Sequence, residues 1–358
     1  MKVFFDYTIF TLQKFGGISN YIVNLVENFS DEVDPLIVSL FYKNFFLKKS
    51  NFADKLIYYN KVGSLIKYVN IINKLYFNYK LKIKNPDILH LTYFSEKNFY
   101  STVTKKVITE YDLIKEKFYY EKFIDQIEYK KKLFKKIDQI ICISKNTKKD
   151  LQQMYSIDDS KISVIHLGVN KKKDVRERPL GIRPFILYVG SRDRYKNFIN
   201  VIKVYGRSIK LKSCFDFVCF GGGNFSKTEK DLFRDLSVSS DNIHYFQGDL
   251  LDLNYFYQKA RIFIFPSLYE GFGLPLLEAM NMECPVMCSN TSCFPEIVND
   301  AAVLFDPTDL DSIEHNMEKL VYDDQLLLDL KKKGKKNLDN YSWKKCAKET
   351  EKLYKKLL

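Results

Sequence analysis

Two glutamates flank the run Glu270-Gly271-Phe272-Gly273-Leu274-Pro275-Leu276-Leu277-Glu278. The preceding Ile262-Phe263-Ile264-Phe265-Pro266-Ser267 reads as a buried strand. A strand, a glycine turn and a helix aim backbone N–H groups and the helix dipole at an anion. The two carboxylates suit sugar hydroxyls, so the segment as a whole suits a nucleotide sugar. Gly271, Gly273 and Pro275 rule out one continuous helix. Glu270 therefore belongs in the turn and Glu278 about one turn into the helix. That helix is mostly apolar, and a carboxylate on a buried helix normally has a partner.

Other segments place charge or glycine at strand ends. Gly190-Ser191-Arg192-Asp193-Arg194-Tyr195-Lys196-Asn197 follows a strand and opens a helix, so Arg192 and Lys196 are cations where a diphosphate would sit. The same residues also read as an ordinary solvated loop. Gly221-Gly222-Gly223 follows another strand and lacks the GxGxxG spacing, but Gly222 lets a ligand approach the backbone closely. Phe15-Gly16-Gly17-Ile18 opens the first helix, where Gly16 and Gly17 form either a structural turn or part of the strand edge that faces the crevice, with free N–H donors at the helix start. Thr109-Glu110-Tyr111-Asp112 ends a strand, and Asp112 either binds a hydroxyl, tunes an acceptor or caps the loop. His90 stands alone in an apolar run and reads as a core histidine with a satisfied ring.

At 358 residues the chain implies two domains of about 150–180 residues. No apolar run approaches the roughly 18–20 residues of a spanning helix, and the N-terminus starts as a strand without a secretory h-region. Seven cysteines without a CxxC pair suggest free thiols and a reduced cytoplasm. Charge is uneven: residues 1–180 carry 32 bases against 20 acids, residues 181–330 carry 14 against 21, and residues 331–358 carry 11 against 3. Basic ends around an acidic middle suggest an anionic partner. Within 41–82, nine lysines face one acid among many aromatics. This pattern suits a membrane interface, a lipid-linked acceptor or single-stranded nucleic acid, and equally an amphipathic helix packed with its lysines outward.

Short apolar strands alternate with amphipathic helices in both halves, which predicts α/β architecture with mostly parallel sheets. The predicted layout is an N-terminal domain 1–170, a charged linker 171–181, a second domain 182–340 and a terminal helix 341–358 crossing back to the first. Two open sheets in succession place a ligand in a crevice at strand C-terminal ends.

Together the segments resemble the retaining family 4 glycosyltransferases, among them bacterial polysaccharide and O-antigen mannosyltransferases. Pro266 to Met280 looks like the family's EX7E signature, Leu187 to Phe198 is similar to its phosphate-binding segment, and Ile141–Leu151 with Val164–Val169 are similar to its inter-domain region. The likeness is strongest over 139–306 and weak over 41–84. It implies a GT-B fold, two Rossmann-like domains facing across a crevice, with acceptor on the first and donor on the second. It implies no metal and no cofactor beyond the nucleotide-sugar substrate. By this resemblance Arg192 and Lys196 neutralise the leaving diphosphate, and Glu270 faces the transferred sugar beside the Gly271, Phe272, Gly273 and Leu274 amides. Glu278 would hold the ribose, with Gly16, Gly17, Gly190 and Gly222 along the donor. Tyr111 stands where the family often has a histidine, so Tyr111 and Asp112 become the sugar- or acceptor-facing candidates.

The resulting expectation is a metal-independent, front-face hexosyltransferase using a nucleotide sugar, GDP-mannose slightly favoured, and a lipid-linked saccharide. It would be cytoplasmic, peripheral on the inner membrane face through its basic N-terminal domain and C-terminal helix, and without nucleic acid. The alternatives are a UDP-sugar enzyme with a small soluble acceptor, and a non-catalytic anionic-lipid or RNA binder on the same fold.

Overall fold

The computed structural model describes residues 1–52, 56–59, 66–94, 105–171, 174–177 and 179–358. Asp54, Lys55 and Lys61 of the basic aromatic stretch, and Lys172, Lys173 and Arg178 of the charged linker, lie outside the described residues.

The strands follow in chain order: β1 (Lys2–Asp6), β2 (Asp34–Val38), β3 (Phe41–Tyr42), β4 (Ile57–Tyr58), β5 (Ile88–Leu91), β6 (Lys105–Glu110), β7 (Gln139–Cys142) and β8 (Ile162–Val164). Then come β9 (Phe185–Val189), β10 (Asp216–Phe220), β11 (Ile243–Phe246), β12 (Ile262–Phe265), β13 (Val286–Ser289) and β14 (Ala302–Phe305). Residues 1–168 with 341–358 form one unit and 169–340 the other.

The first unit holds a parallel sheet ordered β2-β1-β5-β6-β7-β8. The C-terminal helix Trp343–Leu357 belongs to this unit and buries Trp343, Cys346, Ala347, Thr350, Leu353 and Tyr354. Its anchor is His90, whose Nδ1 lies 2.6 Å from the Tyr354 hydroxyl and whose Nε2 lies 2.9 Å from Thr109 Oγ1. Burial lowers the ring's pKa to about 3, so His90 is the neutral, satisfied core histidine the sequence suggests. The lysine-rich helix Ile66–Lys84 packs Val69, Asn73, Phe77 and Leu81 inward, and Asn73 accepts from the Leu40 and Phe41 amides at 2.8 Å.

The second unit's parallel sheet is ordered β11-β10-β9-β12-β13-β14. Counted within the unit this is 3-2-1-4-5-6, the dinucleotide-fold order, and it reverses between β9 and β12. The runs Phe185–Val189 and Ile262–Phe265 are buried at every position, as strands covered by helices on both faces must be. Of the seven free cysteines six are buried as small apolar fillers, and Cys214 is exposed.

Candidate functional site

Because β10, β9 and β12 lie side by side, the loops leaving their C-terminal ends converge where the strand order reverses. The loop after β9 carries Lys196, and the turn after β12 carries Glu270. The Leu268 amide donates to the Tyr195 carbonyl at 2.7 Å, joining the two loops. Lys196 Nζ then lies 2.5 Å from Glu270 Oε1, with the two side chains 16% and 13% exposed. A largely desolvated lysine stands on the strand edge beside the helix Leu274–Asn281, whose first-turn amides add positive potential. Gly273 precedes that helix at φ +92, a left-handed conformation that glycine adopts without steric cost.

The loop after β13 supports this turn. Ser292 Oγ donates to the Glu270 carbonyl at 2.7 Å and accepts from its amide at 3.2 Å. Thr291 Oγ1 donates to the Leu268 carbonyl at 3.1 Å. Neither residue carries a signal in the sequence, because only strand pairing brings the loop there.

Arg192 departs from the simple expectation of a phosphate cation matched with Lys196. Its guanidinium pairs with Glu229 and donates to the carbonyls of Gly221, Gly223 and Asn224 at 3.3, 2.8 and 3.1 Å. Its side chain is only 6% exposed and lies over the Phe225 ring. Arg192 therefore fixes the glycine loop, while Lys196 holds the charge at the strand edge. Glu229 closes a capping box with Ser226. A sequence reader finds that box as a helix start, but not the second use of its carboxylate. Gly222, at φ +75, would place a Cβ 2.5 Å from the Gly190 carbonyl, and Gly190 itself stands at φ +119, a conformation side-chain-bearing residues rarely adopt.

Glu278 sits one turn into the helix Leu274–Asn281, half-buried among apolar neighbours. Burial pushes its carboxyl up to about 7. The partner expected of a carboxylate on a buried helix is missing among the described residues.

In the first unit Gly16 and Gly17 open the helix Gly17–Glu27, after β1. Tyr111 is buried against Tyr21 with centroids 5.8 Å apart, and burial raises its pKa well above the usual phenol value. Asp112 Oδ1 accepts from the Ile114 amide at 3.0 Å, the loop-capping geometry foreseen as one of its alternatives. Beside them lies an unforeseen cluster. Lys130 Nζ donates to Glu110 Oε1 at 2.8 Å and to Glu116 Oε1 at 2.7 Å, and Tyr155 also donates to Glu116 at 2.7 Å. Burial would lower Lys130, but the two carboxylates more than reverse it and push it up to about 12. Burial pushes Glu110 up to about 8, with Lys130 offsetting only part. Glu110 therefore holds its proton near neutral pH although Lys130 lies beside it. Only the end of β6, Thr109–Asp112, hinted at this site.

Comparison with known proteins agrees with this architecture. Residues 15–173 match the family described as Glycosyltransferase Family 4, and residues 170–337 match Glycosyl transferases group 1. An O-antigen chain mannosyltransferase B of Escherichia coli is 42% identical over 106 residues, 30% of this chain and 28% of that protein. An O-antigen chain mannosyltransferase of Salmonella typhimurium is 28% identical over 211 residues, 57% of each chain. The chain thus spans from about a quarter to somewhat over half of the length of these curated relatives. Among solved structures, a sucrose-phosphate synthase from Thermosynechococcus elongatus superposes with TM-score 0.75 at 16% identity, covering 99% of this chain and 98% of that one. The likeness identifies the GT-B fold. With the two matches running consecutively from residue 15 to residue 337, the chain belongs to the glycosyltransferases, its first part to family 4 and its second to group 1.

Proposed function

We propose that the protein moves a hexose from a nucleotide sugar, GDP-mannose favoured, to a lipid-linked saccharide of a surface polysaccharide, with retention of configuration. The observation that carries this reading is the Lys196–Glu270 pair at the strand-order reversal, with Glu278 unpartnered one turn into the adjoining helix. Diphosphate, transferred sugar and ribose hydroxyls need these three groups in that order. The names of the mannosyltransferases it resembles favour mannose.

In the reaction, the bond from the anomeric carbon to the phosphate oxygen breaks while the acceptor oxygen bonds the same face. The acceptor's proton passes to the departing phosphate oxygen. Lys196 stabilises the charge on the leaving diphosphate, and Arg192 keeps the glycine loop in place beneath it. Titration calorimetry with GDP-mannose and UDP-glucose tests the donor assignment. Saturable binding that Lys196→Ala weakens at least tenfold is expected, whereas no binding of any nucleotide sugar would leave the non-catalytic lipid- or RNA-binding alternative.

The lipid-linked acceptor is supported by the helix Ile66–Lys84. Opposite its buried face it exposes Tyr68, Ile72, Leu75, Tyr79 and Ile83 as one stripe, flanked by Lys67, Lys74 and Lys80. An apolar stripe between lysines fits the boundary of an anionic bilayer. Among the described residues no helix is long and apolar enough to cross a membrane. Co-sedimentation with phosphatidylglycerol vesicles is expected to fall about tenfold in Ile72→Glu/Leu75→Glu. Failure of the wild-type protein to bind such vesicles would remove the membrane part and favour a soluble acceptor.

A further inference from the structure

The first unit contains a cavity of about 240 Å³ lined by Ile18, Tyr93, Phe94, Glu110, Tyr111 and Glu116 among others. It is smaller than the roughly 300–1,000 Å³ of drug-sized sites, so it suits one ring rather than a nucleotide. Its lining combines aromatic side chains with carboxyl groups, which suit the apolar face and the hydroxyls of a sugar ring.

Glu110 is 1% exposed, and its Oε2 has no hydrogen-bond partner, although Oε1 is held by Lys130. A buried polar atom without a partner is costly unless a bound group satisfies it. The lysines of the cavity are already engaged. Lys130 serves Glu110 and Glu116, and Lys115 donates to Gln126 at 2.8 Å and to the Tyr93 hydroxyl at 3.0 Å. With three carboxyl groups, Glu110, Asp112 and Glu116, against two committed lysines, the cavity offers an anion little. A phosphate or a uronic acid would meet more carboxyl oxygen than available cation.

We infer that this cavity binds one neutral saccharide ring, packed against the Tyr93 and Phe94 side chains, with Glu110 Oε2 hydrogen-bonded to a ring hydroxyl. The inference rests on the glycosyl-transfer reading, in which this ring is the accepting end of the acceptor. It names Glu110 as the residue that reads that sugar. Glu110 reaches the ligand through one oxygen because Lys130 fixes the other, and Glu116, itself held by the Tyr155 hydroxyl, holds Lys130 in turn. The arrangement makes Glu110 a rigid hydrogen-bonding post rather than a mobile charge.

The test uses the full chain and methyl α-mannopyranoside as probe, followed by saturation-transfer NMR and titration. Wild type is expected to bind it, Glu110→Ala to bind at least tenfold more weakly, and the isosteric Glu110→Gln to stay within about threefold. Tyr93→Ala, which removes one wall and leaves the Glu110–Lys130–Glu116 cluster intact, should also lose at least fivefold and guards against misfolding of the Glu110 variants. Nucleotide-sugar binding, read in parallel, should not change in any of the three. Undiminished mannoside binding in Glu110→Ala and Tyr93→Ala, or no mannoside binding by a wild type that binds the donor, overturns the cavity assignment alone. Preferential binding of glucuronate or inorganic phosphate overturns its neutral-sugar character. Absence of donor binding in every protein instead overturns the reading on which it rests.

Discussion

Lys196→Ala is expected to lower kcat by about 10²–10³-fold, the loss seen when one preorganised charge is removed from a transition state. Phosphate departure concentrates negative charge on the diphosphate, and Lys196 is the cation that the structure holds at that strand edge. In the folded protein the ammonium is kept ready by Glu270 at 2.5 Å, in surroundings that expose little of either side chain. Removing it also takes away the cation paired with the Glu270 carboxylate. For a fully buried pair that costs about 3–5 kcal/mol, and less here because both groups retain some solvent. Stability and catalysis can therefore be separated. Lys196→Ala/Glu270→Ala should recover part of the lost thermal stability, since the carboxylate that has lost its cation is removed as well, yet turnover should stay at or below the level of the single variant. Steady-state kinetics with thermal melts of the three variants decide it. A kcat within threefold of wild type in Lys196→Ala would sink the assignment.

Glu278→Gln should change stability and donor affinity in opposite directions. The folded-state pKa of Glu278, about 7, lies above the 4.5 of an unperturbed glutamate. The folded form therefore holds the proton more tightly. The stability this contributes is fully present below about pH 4.5 and is lost as pH rises through 7. At pH 8 the ionised, half-buried carboxylate costs on the order of 3 kcal/mol, and glutamine removes that cost. The variant is thus expected to melt higher than wild type at pH 8 and nearly equally at pH 5. Ribose hydroxyls, however, donate to a carboxylate more strongly than to an amide oxygen. Donor affinity should fall by about 10–100-fold in the variant at pH 8. In wild type the affinity should rise between pH 6 and 8 as the carboxylate ionises, and in Glu278→Gln it should be flat. Thermal unfolding and calorimetry across this pH range check both signs. An affinity unchanged by the substitution would show that Glu278 does not hold the donor.

How far the sequence could be read differs from group to group. Glu270 and Lys196 were visible because each lies in the loop leaving a strand end, and Glu278 because it lies one turn into the helix that follows, where a turn and a helix start carry local signals. The position of Glu278 one turn into its helix followed from Gly271, Gly273 and Pro275 alone. Arg192 shows where this reasoning stops. Its place after β9 was legible, but its engagement by Glu229, 37 residues away, and by the glycine-loop carbonyls depends on β9 and β10 being neighbours. Ser292 and Thr291 were invisible for the same reason. The lysine-rich helix fits both a membrane-facing and a packed element in the sequence, and the structure bears out the packed face alone. One face is buried through Val69, Asn73, Phe77 and Leu81, and another exposes an apolar stripe.

The sequence by itself determined the alternation of strand and helix, two successive open α/β halves and the turn chemistry around Glu270. These depend on periodicity and on backbone preferences of adjacent residues. Only the tertiary structure decided which charges meet. Lys196 pairs with Glu270 across 74 positions, and Lys130 joins Glu110 and Glu116 across 20 and 14. Such pairings follow from sheet order, which brings distant loops to one edge, and desolvation there sets which of the carboxyl groups keeps its proton.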